Sequence, residues 1–433
     1  MTVTIENEKN YAALVIRVPE LHKLPNSDKL YGINVAGISV VVDSSWLERV
    51  GELAVMFPAE SQLSHPLTAY ANLYRHSELN DDPEESGYLE DNRRIRALKL
   101  RGNVSKGLIL PLEKVTLVTN SFPDEFEEGQ SFDTVNGIEV SRKYVIPVKE
   151  PQNAAQAKLA KAFKRVDAKV FPEHIETDQW LRNEGHVTDD EVLIVTQKLH
   201  GTSVRFGRVP VKVEHKWYER LAAKLGVRVR EMEFDLIGGS RKVIKDPKST
   251  TQNHFYATDI WTDAALRYGE AVPENYIVYG ELVGYTPDGA AIQKGFTYEA
   301  FAGEMELYVY RVAVVTEQGE LTDLSWDQVR HFAHSRGLKY VPELWRGFKR
   351  DFRVEDFAEK NFYLEWMKSN VVIDTQYPDT PVRLSDGGTG KDEGVVIRVD
   401  QGWPIGHFFK YKNDSFYLHE TEELDSGEAS IEA

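Results

Sequence analysis

Short runs dominated by apolar and β-branched residues fill the first third of the chain. YAALVIRV, YGINVAGISVVV and ELAVMFPA are interrupted or bounded by Gly, Pro, Asn or Asp, and KGLILPLEKV follows after an acidic loop and a basic stretch. Runs of that length and composition predict strands closed by turns. Several of them within about 120 residues predict a small OB-like β-barrel. The pattern changes at EPQNAAQAKLAKAFKRVDAK, where Pro and Asn give way to Ala and Lys, so a linker running into a helix is expected there. Beyond it, strands and helices mix without a βαβ rhythm. EVLIVTQ, SVRFGRVPV, YIVYGELVGY, ELYVYRVAVVT, GVVIRV and HFFKYK read as strands. KWYERLAAKLG reads as a helix stopped by Gly226, and WDQVRHFAHSR as a helix opened by the Ser325/Gln328 capping spacing and stopped by Gly337. VEDFAEKNFYLEWMK reads as one further amphipathic helix. The expected fold class is α+β: residues 1–155 as the barrel, residues 156–415 as a domain of antiparallel sheets with flanking helices, and residues 416–433 as an acidic, unstructured tail.

Composition narrows the class. The chain has 433 residues, 41% hydrophobic and 28% charged, as expected of a globular protein with a large core. No apolar run approaches the roughly 20 residues needed to cross a bilayer, and no secretory signal opens the sequence. The absence of cysteine excludes disulfides, thiolate metal sites and cysteine nucleophiles, and makes a cytoplasmic location the default expectation. The formal net charge of −17 argues against a broad nucleic-acid-coating surface, though not against a local basic site. Acid concentrates in residues 78–91 and from Glu420 onward; base concentrates in Arg93, Arg94, Arg96, Lys99, Arg101 and Lys106 and again between residues 158 and 169.

Candidate chemistry begins at Lys198. Lys-x-x-Gly occurs four times, starting at Lys29, Lys99, Lys198 and Lys391, so the spacing alone selects nothing. Context favours Lys198, which ends an apolar strand and precedes a tight turn at Gly201 and a second strand. A nucleophilic lysine must shed its proton, and a part-buried strand end beside a bound cation promotes that. Glu281 in YGEL and Glu393 in DEGVVI are acids set among apolar strand residues; each is either a site carboxylate or a strand-end acid facing water or a structural partner. Lys410 and Lys412 are two apart on a strand and share one face, which favours an anion between them if that face is not simply exposed.

Taken in order, Lys198-Leu199-His200-Gly201, Gly239-Ser240-Arg241, Tyr279-Gly280-Glu281, the aromatic strand around Tyr310, Glu393-Gly394-Val395-Val396-Ile397 and Lys410-Tyr411-Lys412 resemble motifs I, Ia, III, IIIa, IV and V of the covalent nucleotidyltransferases. That superfamily includes DNA ligases, RNA ligases and capping enzymes. The resemblance implies that Lys198 takes AMP from ATP and that Gly201 shapes the turn. It implies that Arg241 meets the phosphate of the end being sealed and Glu281 the ribose, while Tyr310 (or Tyr308, two residues away) stacks on adenine. Glu393, with Glu281 and His200, is implied to hold Mg²⁺ or Mn²⁺ or its waters, and Lys410 and Lys412 to clamp the α-phosphate. Gln197 is expected to read the adenine edge. His200 departs from the family's usual Asp, and is either a metal contact or a packing histidine.

Only 21 residues follow Lys412, and the additional domain stands in front. Together with KLHGTS and the RGNVSKGL segment starting at Arg101, this order is similar to the RNA-ligase branch with an N-terminal OB domain. The expected fold is then an OB-like barrel followed by a ligase-type nucleotidyltransferase domain. The expected partner is a nicked or broken RNA-containing duplex, contacted by Arg241, Arg93, Arg94, Arg96 and Arg101; no membrane and no obligate protein partner are expected. The alternatives are a DNA ligase, a capping-type enzyme, or a nucleic-acid-binding protein on a decayed ligase fold.

Overall fold

The computed structural model describes residues 4–6, 10–145, 165–248, 258–370, 377–385, 390–399 and 406–425. The front domain is built from β1 (Ala13–Arg17), β2 (Leu30–Val35), β3 (Ile38–Asp43), β4 (Leu53–Pro58), β5 (Gly107–Pro111), α1 (Leu112–Thr119) and β6 (Ser131–Phe132). One antiparallel sheet runs β5–β4–β1–β6, and β2 and β3 pair as a hairpin in another. Strand alternation divides the core in two. Ala13, Val15, Val55 and Phe57 pack on one side of the sheet, while Ile16, Ala54, Met56 and Ile109 pack on the other with Ile33 and Val40 of the hairpin. The run YGINVAGISVVV therefore folds as two strands rather than one, turned at Ala36 and Gly37, both at positive φ.

The second domain follows with β7 (Val192–Lys198), β8 (Thr202–Lys212), β9 (Met232–Gly239), α2 (Ile260–Tyr268), β10 (Tyr276–Gly284), β11 (Met305–Val315), α3 (Trp326–Ser335), β12 (Glu343–Phe348), α4 (Phe362–Asn370), β13 (Gly394–Val399), β14 (His407–Lys412) and α5 (Asp414–Asp425). One sheet runs β14–β13–β7–β12, with Asp178–Gln179 at its edge. The other runs β9–β8–β10–β11, extended at its ends by Ile244–Lys245 and Leu321–Asp323. Alternation is clean in the first sheet: Leu193, Val195, Val395 and Ile397 bury into a core behind it, leaving Thr196, Lys198, Val396 and Arg398 on the opposite face. Helices α2 and α3 cover the second sheet, burying Trp261, Ala265, Trp326, Val329 and Phe332 against Val204, Val278 and Val309. Ser325 caps α3 with both capping-box bonds in place.

Two expectations change, and a third falls outside the described residues. The boundary expected at residue 155, and the linker and helix around it, lie outside the described residues. The single helix expected across VEDFAEKNFYLEWMK is two pieces, a 3₁₀ turn Val354–Phe357 and α4. Glu359 at φ 52 breaks the run, and Asn361 accepts the Leu364 N–H to start α4. The acidic tail is not unstructured through residue 425, because α5 docks on both domains. Phe416 is buried, and two of the acids find basic partners distant in sequence, Asp414 with Lys106 at 2.6 Å and Asp425 with Arg94 at 2.9 Å, while Glu420 meets the nearby Lys412 at 2.5 Å. Local composition cannot reveal such partners, so the segment reads as solvated until folded. Gly37 belongs to the same junction, where an added Cβ would fall 2.0 Å from Leu181.

Candidate active site

A cleft of about 990 Å³, counted to its open mouth, lies between the two sheets of the second domain. One wall carries Lys198 from the end of β7, Arg398 from β13, and Lys410 and Lys412 from β14. The other carries Ser203 from β8, Glu281 from β10 and Tyr310 from β11, with Arg241 from the turn after β9. Residues far apart in sequence thus converge because β7 pairs with β13 from Lys198↔Gly394 onward, and β8 pairs with β10 at Ser203↔Glu281.

Lys198 Nζ lies 2.7 Å from Glu393 Oε1, and the same oxygen is 3.5 Å from Lys412 Nζ. Glu393 is 1% exposed, so two cations share one desolvated carboxylate oxygen. Its other oxygen, Oε2, is buried with no hydrogen-bond partner among the described residues. A buried carboxylate oxygen left in that state is costly, and a divalent cation or its water satisfies it. On the opposite wall, Glu281 Oε1 accepts the Gly201 N–H at 3.1 Å and Oε2 accepts the Ser203 hydroxyl at 3.2 Å, which fixes the carboxylate against the turn that follows the lysine.

Gly201 shapes the turn, as expected, by allowing close packing. A Cβ there would meet the Leu282 carbonyl oxygen at 2.2 Å, so the turn is pressed against β10. Tyr310 and Tyr308 are separated by a β-bulge: Tyr279 pairs with Arg311 but Gly280 pairs with Val309, leaving Tyr310 as the extra residue. The bulge turns Tyr310 to the cleft while Tyr308 packs in the core beside α2 and α3. The Tyr310 hydroxyl contacts His174 Nδ1, and burial pushes that phenol above its ordinary range.

Two sets of expected site residues make contacts elsewhere. Gln197 touches the cleft, but its amide is consumed on the other side of the strand. Nε2 donates to the Val382 carbonyl and to Asp392, and Oε1 accepts the Val382 N–H at 2.7 Å. Period-2 alternation makes this the counterpart of Lys198 facing in, so Gln197 anchors the chain before Glu393. Burial pushes the Asp392 carboxyl up to about 7, and the bonds from the Phe362 N–H and Gln197 hold it in place. Arg94, expected on a nucleic-acid phosphate, is 2% exposed and bound to both oxygens of Glu60. Arg96 reaches Asp425 at 3.2 Å, and Arg93 Nε donates to the Leu63 carbonyl. Of that basic stretch, Lys99 and Arg101 are exposed, on the hairpin Leu98–Leu100 and Asn103–Ser105.

His200 is buried and does not line the cleft; its ring packs edge-on against Phe296 and Phe416, with Nδ1 3.9 Å from Glu393 Oε2. Sequence reasoning missed His174, Arg311, Trp326, Arg398 and Phe408 on the cleft wall. Arg398 alone had a signal, as the one charge within GVVIRV. It donates to the carbonyls of Tyr310 and Leu324 and so ties β13 to β11 across the cleft. Arg241 Nη2 lies 3.3 Å from Glu176, and buried Arg205 donates to the Arg241 carbonyl, positioning that turn.

Two facing antiparallel sheets, with a strand-end lysine and clustered cations across from a held carboxylate, define the fold of a covalent nucleotidyltransferase. A model described as RNA ligase matches residues 191–412, more than half of the chain, and the chain belongs to the RNA ligase family. An OB-fold domain model matches residues 12–112, in agreement with the front barrel. The fold is similar to that of Naegleria gruberi RNA ligase in several states. An Asp-to-Ala mutant without ligand superposes with a TM-score of 0.59 at 14% identity, over 95% of this chain and 99% of that one. The form with pyrophosphate gives 0.57 at 16% identity, over 95% and 98%. A Lys-to-Ala mutant with ATP and Mn gives 0.56 at 14%, over 96% and 100%. By sequence, no curated protein matches. Among the described residues, no helix is long and apolar enough to cross a membrane.

Proposed function

We propose that this RNA ligase seals a 5′-phosphate to a 3′-hydroxyl in nicked or broken RNA-containing duplexes, using ATP and a lysyl-AMP intermediate on Lys198. The observation that carries the reading is the Lys198–Glu393–Lys412 cluster beside the cleft between the two sheets, with Lys198 and Lys412 on the cleft wall. In the first step Lys198 Nζ, having lost its proton, attacks the α-phosphorus; the bond to the β-phosphate oxygen breaks and pyrophosphate leaves. Lys410 and Lys412 neutralise charge on the α-phosphate as it builds, and Tyr310 and Glu281 hold the base and ribose in line. Glu393, whose second carboxylate oxygen has no hydrogen-bond partner among the described residues, would hold a divalent ion, which would supply charge withdrawal from the phosphates and compete with the lysine for that carboxylate. AMP then passes to the RNA 5′-phosphate, positioned by Arg241, and the 3′-hydroxyl displaces AMP to form the phosphodiester.

ATP with Mn in one form of the Naegleria relative, and AMP with Mn in another, support the choice of nucleotide and of divalent ion. The front barrel is the natural platform for the duplex, with Lys99 and Arg101 as its exposed cations. The lack of cysteine fits a cytoplasmic enzyme. The test is a sealing assay on nicked duplexes that vary RNA and DNA on each side of the break. RNA at the 3′-hydroxyl side is expected to seal well above all-DNA nicks; equal sealing of both would overturn the assignment to RNA.

A further inference from the structure

We propose that His200, His419 and Glu423 form a binding site for a transition-series divalent ion, Zn²⁺ foremost, distinct from the nucleotide-associated metal, which fastens α5 to the turn after Lys198. One potential ligand atom from each of the three residues lies within 4.8 Å of the others. His419 and Glu423 are i and i+4 on α5 and so project from one face, with Nε2 and Oε1 3.1 Å apart. His200 arrives from the opposite side, out of the turn between β7 and β8. Ligand atoms around tetrahedral Zn²⁺ stand about 3.3 Å apart at bond lengths near 2.0–2.1 Å. A small rotation of the two helix side chains, both only half-buried, closes the remaining gap.

The surroundings suit an ion of this class. The rings of Phe296 and Phe416 lie 5.0 and 4.8 Å from that of His200, giving a partly dry shell. The His200 backbone N–H donates to the Tyr298 hydroxyl at 2.7 Å, which fixes the turn. Behind the ring, Nδ1 stands 3.9 Å from Glu393 Oε2, beyond hydrogen-bond distance, so a negative charge lies close to the site without being one of its ligands. Two imidazole nitrogens and one carboxylate oxygen favour Zn²⁺, Co²⁺ or Mn²⁺ over Mg²⁺, which prefers oxygen ligands and keeps its waters. Three protein ligands leave a coordination position for water. Histidine in place of the family's motif I aspartate thereby acquires a physical reason: it is one third of a site whose other members lie beyond motif V.

The test uses the full-length protein, stripped with chelator and free of nucleotide, in excess Mg²⁺ to occupy oxygen-only sites. Titration with Zn²⁺ by calorimetry, and with Co²⁺ by visible absorption, is expected to give one site per chain. His419→Ala and Glu423→Gln should each weaken Zn²⁺ binding at least about tenfold. His419→Cys should restore binding and add sulfur-to-cobalt absorption, which separates lost ligation from lost folding. The Lys198→Ala protein should bind Zn²⁺ as the wild type does, so failure of the AMP-transfer reading would leave this result untouched. Absence of a stoichiometric site, or binding unchanged in both His419→Ala and Glu423→Gln, would overturn the proposal.

Discussion

Glu60 and Asp425 both bind Arg94, yet removing them should have very different costs. Arg94 has a side chain only 1% exposed, and Glu60, at 11%, supplies two bonds of 2.7 and 2.9 Å; Asp425 supplies one of 2.9 Å from a position 42% exposed. Glu60→Ala therefore leaves a buried guanidinium with one half-solvated acid and a long bond to the Thr421 carbonyl, and such a loss costs about 3–5 kcal/mol. Asp425→Ala removes an exposed contact and should cost less than about 1 kcal/mol. Glu60→Ala combined with Arg94→Met takes out the charge as well as its partner, and should return to within about 2 kcal/mol of wild type. Urea unfolding followed by circular dichroism measures each value, provided the denaturant slope stays constant across the set. AMP loading per folded molecule should not change in any of the three, because the trio lies outside the cleft. If Asp425→Ala proves as costly as Glu60→Ala, or if the double variant is no better than Glu60→Ala, the claim that Arg94 is a desolvated structural cation fails.

Other outcomes follow from the same geometry. Tyr310→Ala should raise the KM for ATP about tenfold or more through lost base stacking, worth about 1–3 kcal/mol, while Tyr308→Phe should leave it unchanged; steady-state AMP loading reads both. Arg241→Ala should lower nick sealing far more than AMP loading, measured side by side on one preparation. Gly201→Ala should reduce AMP loading sharply, since its Cβ would collide with the Leu282 carbonyl. Asp235 gives a pH dependence. Burial pushes its carboxyl up, but bonds from Lys248 and Arg165 outweigh this and hold it below the ordinary value. A depressed carboxyl contributes stability above its unfolded pKa of about 3.9 and loses it as pH falls through the lower folded value. Asp235→Asn should thus lower stability at pH 7, a difference that thermal unfolding should find vanishing at strongly acidic pH.

What was legible in the sequence followed from local periodicity and ordered motifs. Each of the six strands anticipated in the second domain forms, and Lys198, Glu281, Arg241, Tyr310, Lys410 and Lys412 line one cleft with Glu393 bonded to the lysine. The remainder depended on contacts that no window contains. The bulge at Tyr310, which decides between two tyrosines, arises from pairing with β10. The fate of Gln197 was set by a segment 185 positions away. The basic stretch and the acidic tail each read as solvated when taken alone. Together they are halves of one docking surface, in which Arg94, Arg96 and Lys106 meet Asp425 and Asp414.

The account rests on a phosphorus–nitrogen bond to a single side chain. Intact-mass spectrometry of the purified protein, after incubation with ATP and Mn²⁺, should show the added mass of one adenylate, lost on adding pyrophosphate and absent in Lys198→Ala. Peptide mapping should place the adduct on Lys198. A wild-type protein that never gains the mass, or a Lys198→Ala variant that gains it fully, would contradict the assignment.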